Sequence, residues 1–367
     1  MQLNAFLKAG LLSLIFFILM TGCLTTGGHA APPPGTSYAE EIVVYNWEGD
    51  IPQSVLDAFT EETKVKIISK VFTSQEQAVA DILAGKVYDM AVIDGRYIGL
   101  LIQKGLLKRL NYENIINFKN ISPNFRGLAY DPDNRYSIPY SWGTTGLLVN
   151  TALVQTGVQS WADLWQEAYS GKVAFSVSYP REAMGMTLKS LGYSANSENP
   201  VEIDAALKKL RHLQLDPTYL YGYYPEFGLA TMGSGAIALA VGFSGDLLES
   251  RKKGYAVEYI LPSEGLLLWA DTFVVPASST KQASAELFID FLLRPEISAE
   301  IVNQKYYASA NEAARSFVQP QILADTAIYP TDAMLMTAEI IEGLSEEGQR
   351  LVDVAWQSFL ASYPKGR

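Results

Sequence analysis

Between residues 41 and 94 the sequence switches back and forth between two periodicities, and no other feature restricts the fold as strongly. Glu41-Ile42-Val43-Val44-Tyr45-Asn46-Trp47 is apolar and β-branched, as a buried strand is. Asp50-Ile51-Pro52 resets the chain with a proline at a helix start, and Val55, Leu56 and Phe59 form one helical face through Thr63. Val65-Lys66-Ile67-Ile68 is a second strand. Residues 76–83 are helical and end at Gly85. Met90-Ala91-Val92-Ile93 is a third strand, closed by Asp94-Gly95-Arg96-Tyr97. Strands and helices joined by such short links require a parallel sheet with right-handed crossovers. Ligands of such sheets collect beyond the carboxyl ends of the strands, here Asn46-Trp47-Glu48 and Asp94-Gly95-Arg96.

The rest of the chain reads as a second unit of the same kind and a return. Residues 136–146 are rich in Gly and Pro and lead into the strand Leu147-Leu148-Val149-Asn150, which marks a crossing between lobes. Ser160 caps a short helix at Trp161. A strand at 173–177 leads through Tyr179-Pro180-Arg181-Glu182 into a helix ending at Leu191, and a further helix covers 203–213. A strand at 236–241 ends in Gly242-Phe243-Ser244-Gly245-Asp246, and another covers 256–260. The apolar stretch 266–276 then crosses back. Within it Trp269 and Asp271 point to the same side of a strand. A ring beside an anion suits a ligand with an apolar body and a cationic end; a core tryptophan next to a turn-forming aspartate is the other reading. A helix over 283–293 stops at Arg294-Pro295, and the remainder reads as mostly helical, closing with 347–360. The expected organisation is one lobe from 41–148 plus 271–318 and a second from 149–270 plus 319–367.

A formal net charge of −11 argues against nucleic-acid binding, which needs a basic face. There are two histidines, His29 and His212, and one cysteine, Cys23. No disulfide forms within one chain, and a catalytic triad or His-rich metal site would rest on His212 alone, at the charged end of a helix. No enzyme, cofactor or metal is expected. Lys8 followed by the apolar run 11–20 reads as an export signal over 1–22. Leu19-Met20-Thr21-Gly22-Cys23 resembles a bacterial lipoprotein box, with Met20 where Leu is commoner; ordinary cleavage after Ala30 or Ala31 is the alternative. Residues 23–40, with Pro32-Pro33-Pro34-Gly35, then form a tether from a lipid anchor on Cys23, and the protein works in the periplasm or cell envelope.

Several segments occur together in one order: Tyr45-Asn46-Trp47, Tyr136-Ser137-Ile138-Pro139-Tyr140, Ser160-Trp161-Ala162-Asp163-Leu164-Trp165, Leu191-Gly192-Tyr193-Ser194, Trp269-Ala270-Asp271 and Phe291-Leu292-Leu293-Arg294-Pro295. Over nearly all of residues 40–365 the chain resembles the substrate-binding proteins of bacterial spermidine/putrescine ABC importers. The resemblance implies a type II periplasmic-binding-protein fold of class α/β. Two discontinuous lobes, each a mainly parallel sheet flanked by helices, would close on a ligand in the cleft. It implies a small cationic ligand, a polyamine, and an ABC permease as partner. Rings clamp such a ligand's methylene chain, at roughly 0.5–2 kcal/mol each, and carboxylates hold its ammonium groups.

Carried over residue by residue, Trp47 and Trp269 match clamp rings. Asp271 and Glu182 match the amine-binding carboxylates, and Phe243 stands where the family usually has Trp. Asp50 and Arg96 stand at usual tyrosines, and Tyr179 stands at a usual carboxylate. Glu342 or Glu339 falls near a usual Gln. Tyr221, Tyr223, Tyr224 and Glu226 are further cleft candidates. Arg96 has two readings. It pairs with Asp50, Glu48 or Asp94 and is structural, or it holds a ligand carboxylate and the ligand is an amino acid or opine. Two other functions remain open: an enzyme using Glu182 and Asp271 as an acid–base pair, and a sensor lipoprotein without a transport role.

Overall fold

The computed structural model describes residues 37–363, apart from 156, 214, 216–219 and 222–231. The expected signal peptide, Cys23 and most of the tether lie outside the described residues, as do Tyr223, Tyr224, Glu226 and the side chain of Tyr221.

The first unit follows the sequence pattern closely. Its elements are β1 (Glu41–Trp47), α1 (Gln53–Thr63), β2 (Lys66–Phe72), α2 (Gln75–Leu83) and β3 (Met90–Asp94). The strands pair in parallel in the order β2-β1-β3. Pro52 precedes α1, and Lys64 ends it in the left-handed region at φ 64°, where its N–H reaches Thr60 O. β3 runs directly into α3 (Gly95–Gln103), which the sequence reading took for a closing turn. Asp94 caps this helix, its side chain accepting from Arg96 N at 2.9 Å. Gly95 is needed there because a Cβ would stand 2.5 Å from the Tyr130 ring.

Strand β4 (Ser137–Asn150) is fourteen residues long and buried throughout, so the expected crossing segment is itself strand. Pro139 is tolerated because the ladder slips by one residue between Pro139 and Ser141. The second unit supplies β5 (Val173–Ser176), α4 (Pro180–Lys189), α5 (Pro200–Arg211), β6 (Leu220–Tyr221), β7 (Leu239–Phe243), α6 (Ser244–Lys252) and β8 (Val257–Ile260). Strand β9 (Leu267–Val274) returns to the first unit. The path through the sheet is β2-β1-β3-β9-β4-β7-β5-β6. It is parallel in both outer parts and antiparallel in the middle, where β9 pairs with β3 and β4, and β4 with β7 and β8. Both β4 and β9 therefore run through the two halves.

After β9 come α7 (Gln282–Leu292) and α8 (Pro295–Lys305), with Pro295 ending one helix and opening the next. Residues 306–345 are not mainly helical, contrary to expectation. They hold β10 (Ala308–Ser309), β11 (Glu339–Ile340) and helical pieces of four to six residues, because Pro320, Pro330 and Gly343 interrupt the chain. The last helix, α9 (Glu346–Leu360), closes the described chain. No described helix is long and apolar enough to cross a membrane.

Two main apolar cores sit on either side of the middle strands. Val55, Phe59, Met90, Ile138, Phe273, Phe288 and Phe291 belong to one. Leu147, Trp161, Phe175, Met186, Leu239, Trp356 and Phe359 belong to the other. Residues 319–329, expected with the second lobe, touch both halves. Ile322 and Ile328 join a cluster with Ala299 and Ala308, whereas Ala327 packs with Leu148 and Leu247.

Candidate ligand-binding cleft

The carboxyl ends of β1 and β3 face the start of α4 and the end of β7 across a cavity of about 320 Å³. Eight of the nine expected ligand residues line it: Trp47, Asp50, Arg96, Tyr179, Glu182, Phe243, Trp269 and Asp271. Glu342 does not. Its backbone N–H donates to Asn196 Oδ1 at 3.0 Å, and its carbonyl accepts from Arg181 Nη2 at 3.2 Å. The alternative, Glu339, is a brace elsewhere, taken by Lys189 Nζ at 2.7 Å, Ser194 Oγ at 2.5 Å and Ala195 N at 3.0 Å. Both sit on a segment whose path is decided by β11 pairing with β9, which local sequence does not reveal.

The rings meet in one space. Trp47 Nε1 donates to Asp271 Oδ2 at 3.3 Å, and its ring leans on Phe72 with centroids 4.5 Å apart. Trp269 stands edge-on to Phe243 at 6.0 Å and to Tyr307 at 5.2 Å, and Tyr179 stands edge-on to Phe243 at 4.9 Å. Trp269 lies so close to β4 that a Cβ on Gly143 would be 2.4 Å from its Cζ2. The glycine read as a loop residue is therefore what admits the indole against a strand.

The charged groups form two adjoining sets, because Asp94 and Asp271 are register partners on β3 and β9. At one, Arg96 Nη2 donates to Asp94 Oδ2 at 2.7 Å and to Glu182 Oε1 at 2.8 Å. Arg96 thus pairs with one of its three expected acids, and with Glu182, an acid 86 residues away expected to bind the ligand. Burial pushes the Asp94 carboxyl up, opposed by the Arg96 charge. Nearby Arg181 is also buried, and burial together with the Arg96 charge lowers its pKa to about 10.

The other set is Asp50 and Asp271. Asp271 accepts from Trp47 and, at 3.5 Å, from Gln75 Nε2. Burial and then the charges of Asp94 and Asp50 push its carboxyl well above the usual range. Asp50 accepts from Asn46 Nδ2 at 3.0 Å and is raised by burial, with Asn46 and the Lys305 charge acting against it. Sequence reasoning missed Gln75, Ser141, Lys305 and Tyr307, which also line the cavity. Lys305 and Tyr307 come from the end of α8 and have no local signal. Gln75 was readable only as the first residue of α2, yet its Oε1 accepts from Asp94 N at 3.1 Å and links the two sets. Among the described residues, no three His, Cys, Asp or Glu side chains are grouped to hold a metal ion.

A paired-aromatic, acid-lined cleft between two α/β halves, crossed by two shared strands, is the geometry of a protein that closes on a small solute. The family description "bacterial extracellular solute-binding protein" matches residues 54–331. The chain belongs to this family. It is 31% identical over 316 residues to the spermidine/putrescine-binding periplasmic protein of Salmonella typhimurium, covering 85% of this chain and 89% of that one. It is 29% identical to the putrescine-binding periplasmic protein SpuD of Pseudomonas aeruginosa, covering 91% of this chain and 95% of that one. Its fold superimposes on a putative spermidine/putrescine ABC transporter from Listeria monocytogenes with a TM-score of 0.81 at 29% identity, over 89% of this chain and 100% of that one. Solute-binding proteins of this family serve transporters, and the two-lobed fold expected from the sequence is the one observed.

Proposed function

We propose that this chain is the substrate-binding subunit of an ABC importer for small aliphatic polyamines. It works in the periplasm or cell envelope, tethered by a lipid on Cys23. One observation carries the reading: Asp271 is buried beside half-buried Asp50 and the rings of Trp47 and Trp269, and burial together with the charges of Asp94 and Asp50 pushes its carboxyl toward the protonated state. Such a cluster is costly when empty and is relieved by a cation. A polyamine brings that cation on an apolar rod, which the indole faces cover.

In this reading Asp271 and Asp50 receive an ammonium group, and Trp47, Trp269, Phe243 and Tyr179 enclose the methylenes. The lobes are 41–148 plus 271–318 and 149–270 plus 319–367, with β4 and β9 as the crossing strands about which they close. The closed form is what the permease receives. Names of relatives in Salmonella and Pseudomonas support the ligand class. A ligand carboxylate on Arg96, as an opine would need, has to displace Asp94 or Glu182 from the guanidinium. The acid–base pair of an enzyme is equally unsupported, because Glu182 is committed to Arg96 and no histidine lines the cavity.

Titration calorimetry with putrescine and spermidine tests the proposal. Saturable heat with either one is expected; no heat with both at millimolar concentration overturns it.

A further inference from the structure

Arg96 is a bond between the two halves of the protein that needs no ligand. Its backbone lies in the first turn of α3, capped by Asp94, while Glu182 belongs to α4 of the other half. The three side chains are 9%, 5% and 3% exposed. One guanidinium nitrogen, Nη2, lies within 2.8 Å of both carboxylates, which is the place an ammonium bridging them would take. Position is locked from a third side as well: a Cβ on Gly343 would come within 2.3 Å of Arg96 O.

Charge follows the geometry. Arg96 and the buried Arg181 stand near Asp94 and Glu182, so this end of the cleft carries no surplus negative charge. Beside it, Asp271, the register partner of Asp94, and Asp50 make the more acidic part of the cleft, where Lys305 and Lys252 also line the cavity. A ligand nitrogen is attracted to this more acidic part and meets fixed positive charge at Arg96.

We propose that Arg96 is the specificity-determining residue of the cleft. It permanently occupies the cation position between Asp94 and Glu182, so the protein takes an amine with one positive charge fewer than these carboxylates would otherwise admit. The ligand is a short diamine such as putrescine rather than a triamine such as spermidine. This inference rests on the amine-binding reading above.

The test is competition calorimetry with putrescine and spermidine on the full mature chain and on Arg96→Met, Arg96→Gln and Arg96→Lys, each checked for folding by circular dichroism. The unaltered protein is expected to bind putrescine about tenfold or more tighter than spermidine. Arg96→Met and Arg96→Gln free the two carboxylates and should move the ratio at least about tenfold toward spermidine. Arg96→Lys keeps a cation there and should keep the original order. A preference for spermidine in the unaltered protein overturns the inference, even if no variant folds. So does a ratio unchanged in a folded Arg96→Met or Arg96→Gln, or a Lys variant that behaves like Met. Those three results leave amine binding intact, whereas no binding of either amine by the unaltered protein ends both readings.

Discussion

The two sets of acids in the cleft are built from the same residue types and differ in the counterion the fold gives them. At the Arg96 end, two carboxylates share a guanidinium supplied by the chain, so their counterion is already in place. Around Asp271, burial and the charges of Asp94 and Asp50 push its carboxyl well up, and Asp50 is raised by burial. Acids in a cleft do not by themselves mark a ligand contact. What matters is whether the fold has already supplied their counterion, because a satisfied pair contributes to stability and an unsatisfied pair stores free energy that a cation releases.

The contrast can be broken most directly at Asp271. Asp271→Ala should cost amine binding about 2–5 kcal/mol, as loss of one partner of a buried charge pair does, and calorimetry reads it. Unchanged affinity removes Asp271 from the site. At the satisfied end, Asp94→Asn keeps a helix cap but loses a charge-assisted bond to Arg96. It should lower unfolding free energy in urea by about 2 kcal/mol.

A pH titration sharpens the same comparison. The empty cleft holds Asp271 and Asp50 toward their protonated forms, and an ammonium needs them ionised, so binding releases protons. Amine affinity should rise with pH below the raised values, by about tenfold per unit for each proton released, and the observed heat should depend on the buffer. A flat profile from the usual carboxylate range upward contradicts the cluster. Stability of the empty protein runs the other way. For these two carboxyls the favourable contribution is present at low pH and is lost as pH rises from the unfolded carboxylate range toward the raised folded values. Asp271→Asn should accordingly stabilise the ligand-free protein by about 1 kcal/mol at neutral pH, the opposite sign to Asp94→Asn, while weakening amine binding by no more than the about 2–5 kcal/mol of Asp271→Ala. Trp269→Leu should weaken binding by about 1 kcal/mol through loss of the ring face, with the ligand-free fold retained.

Much of the fold could be read from periodicity. β1 begins and ends where its apolar run does, and α1, α2 and β3 follow to within a residue or two because short amphipathic elements carry their own signals. The last four residues of β4 could too, but residues 137–146 could not, since Pro139, Gly143 and Gly146 look like loop residues until a bulge, the Trp269 ring and Tyr259 are packed beside them. The region 306–345 misled for a related reason: its helix-forming residues are cut by prolines into single turns.

From its residues alone this chain determined that it makes two α/β halves and that Trp269 and Asp271 share one face, since both follow from backbone periods of a few residues. The second counterion of Arg96 was decided only in three dimensions. Asp94, two residues away, was within local reach; Glu182, 86 residues away, joins because α3 and α4 face each other across the gap between the halves. Charge balance is a property of distance in space, and sequence spacing does not encode that distance between separate elements.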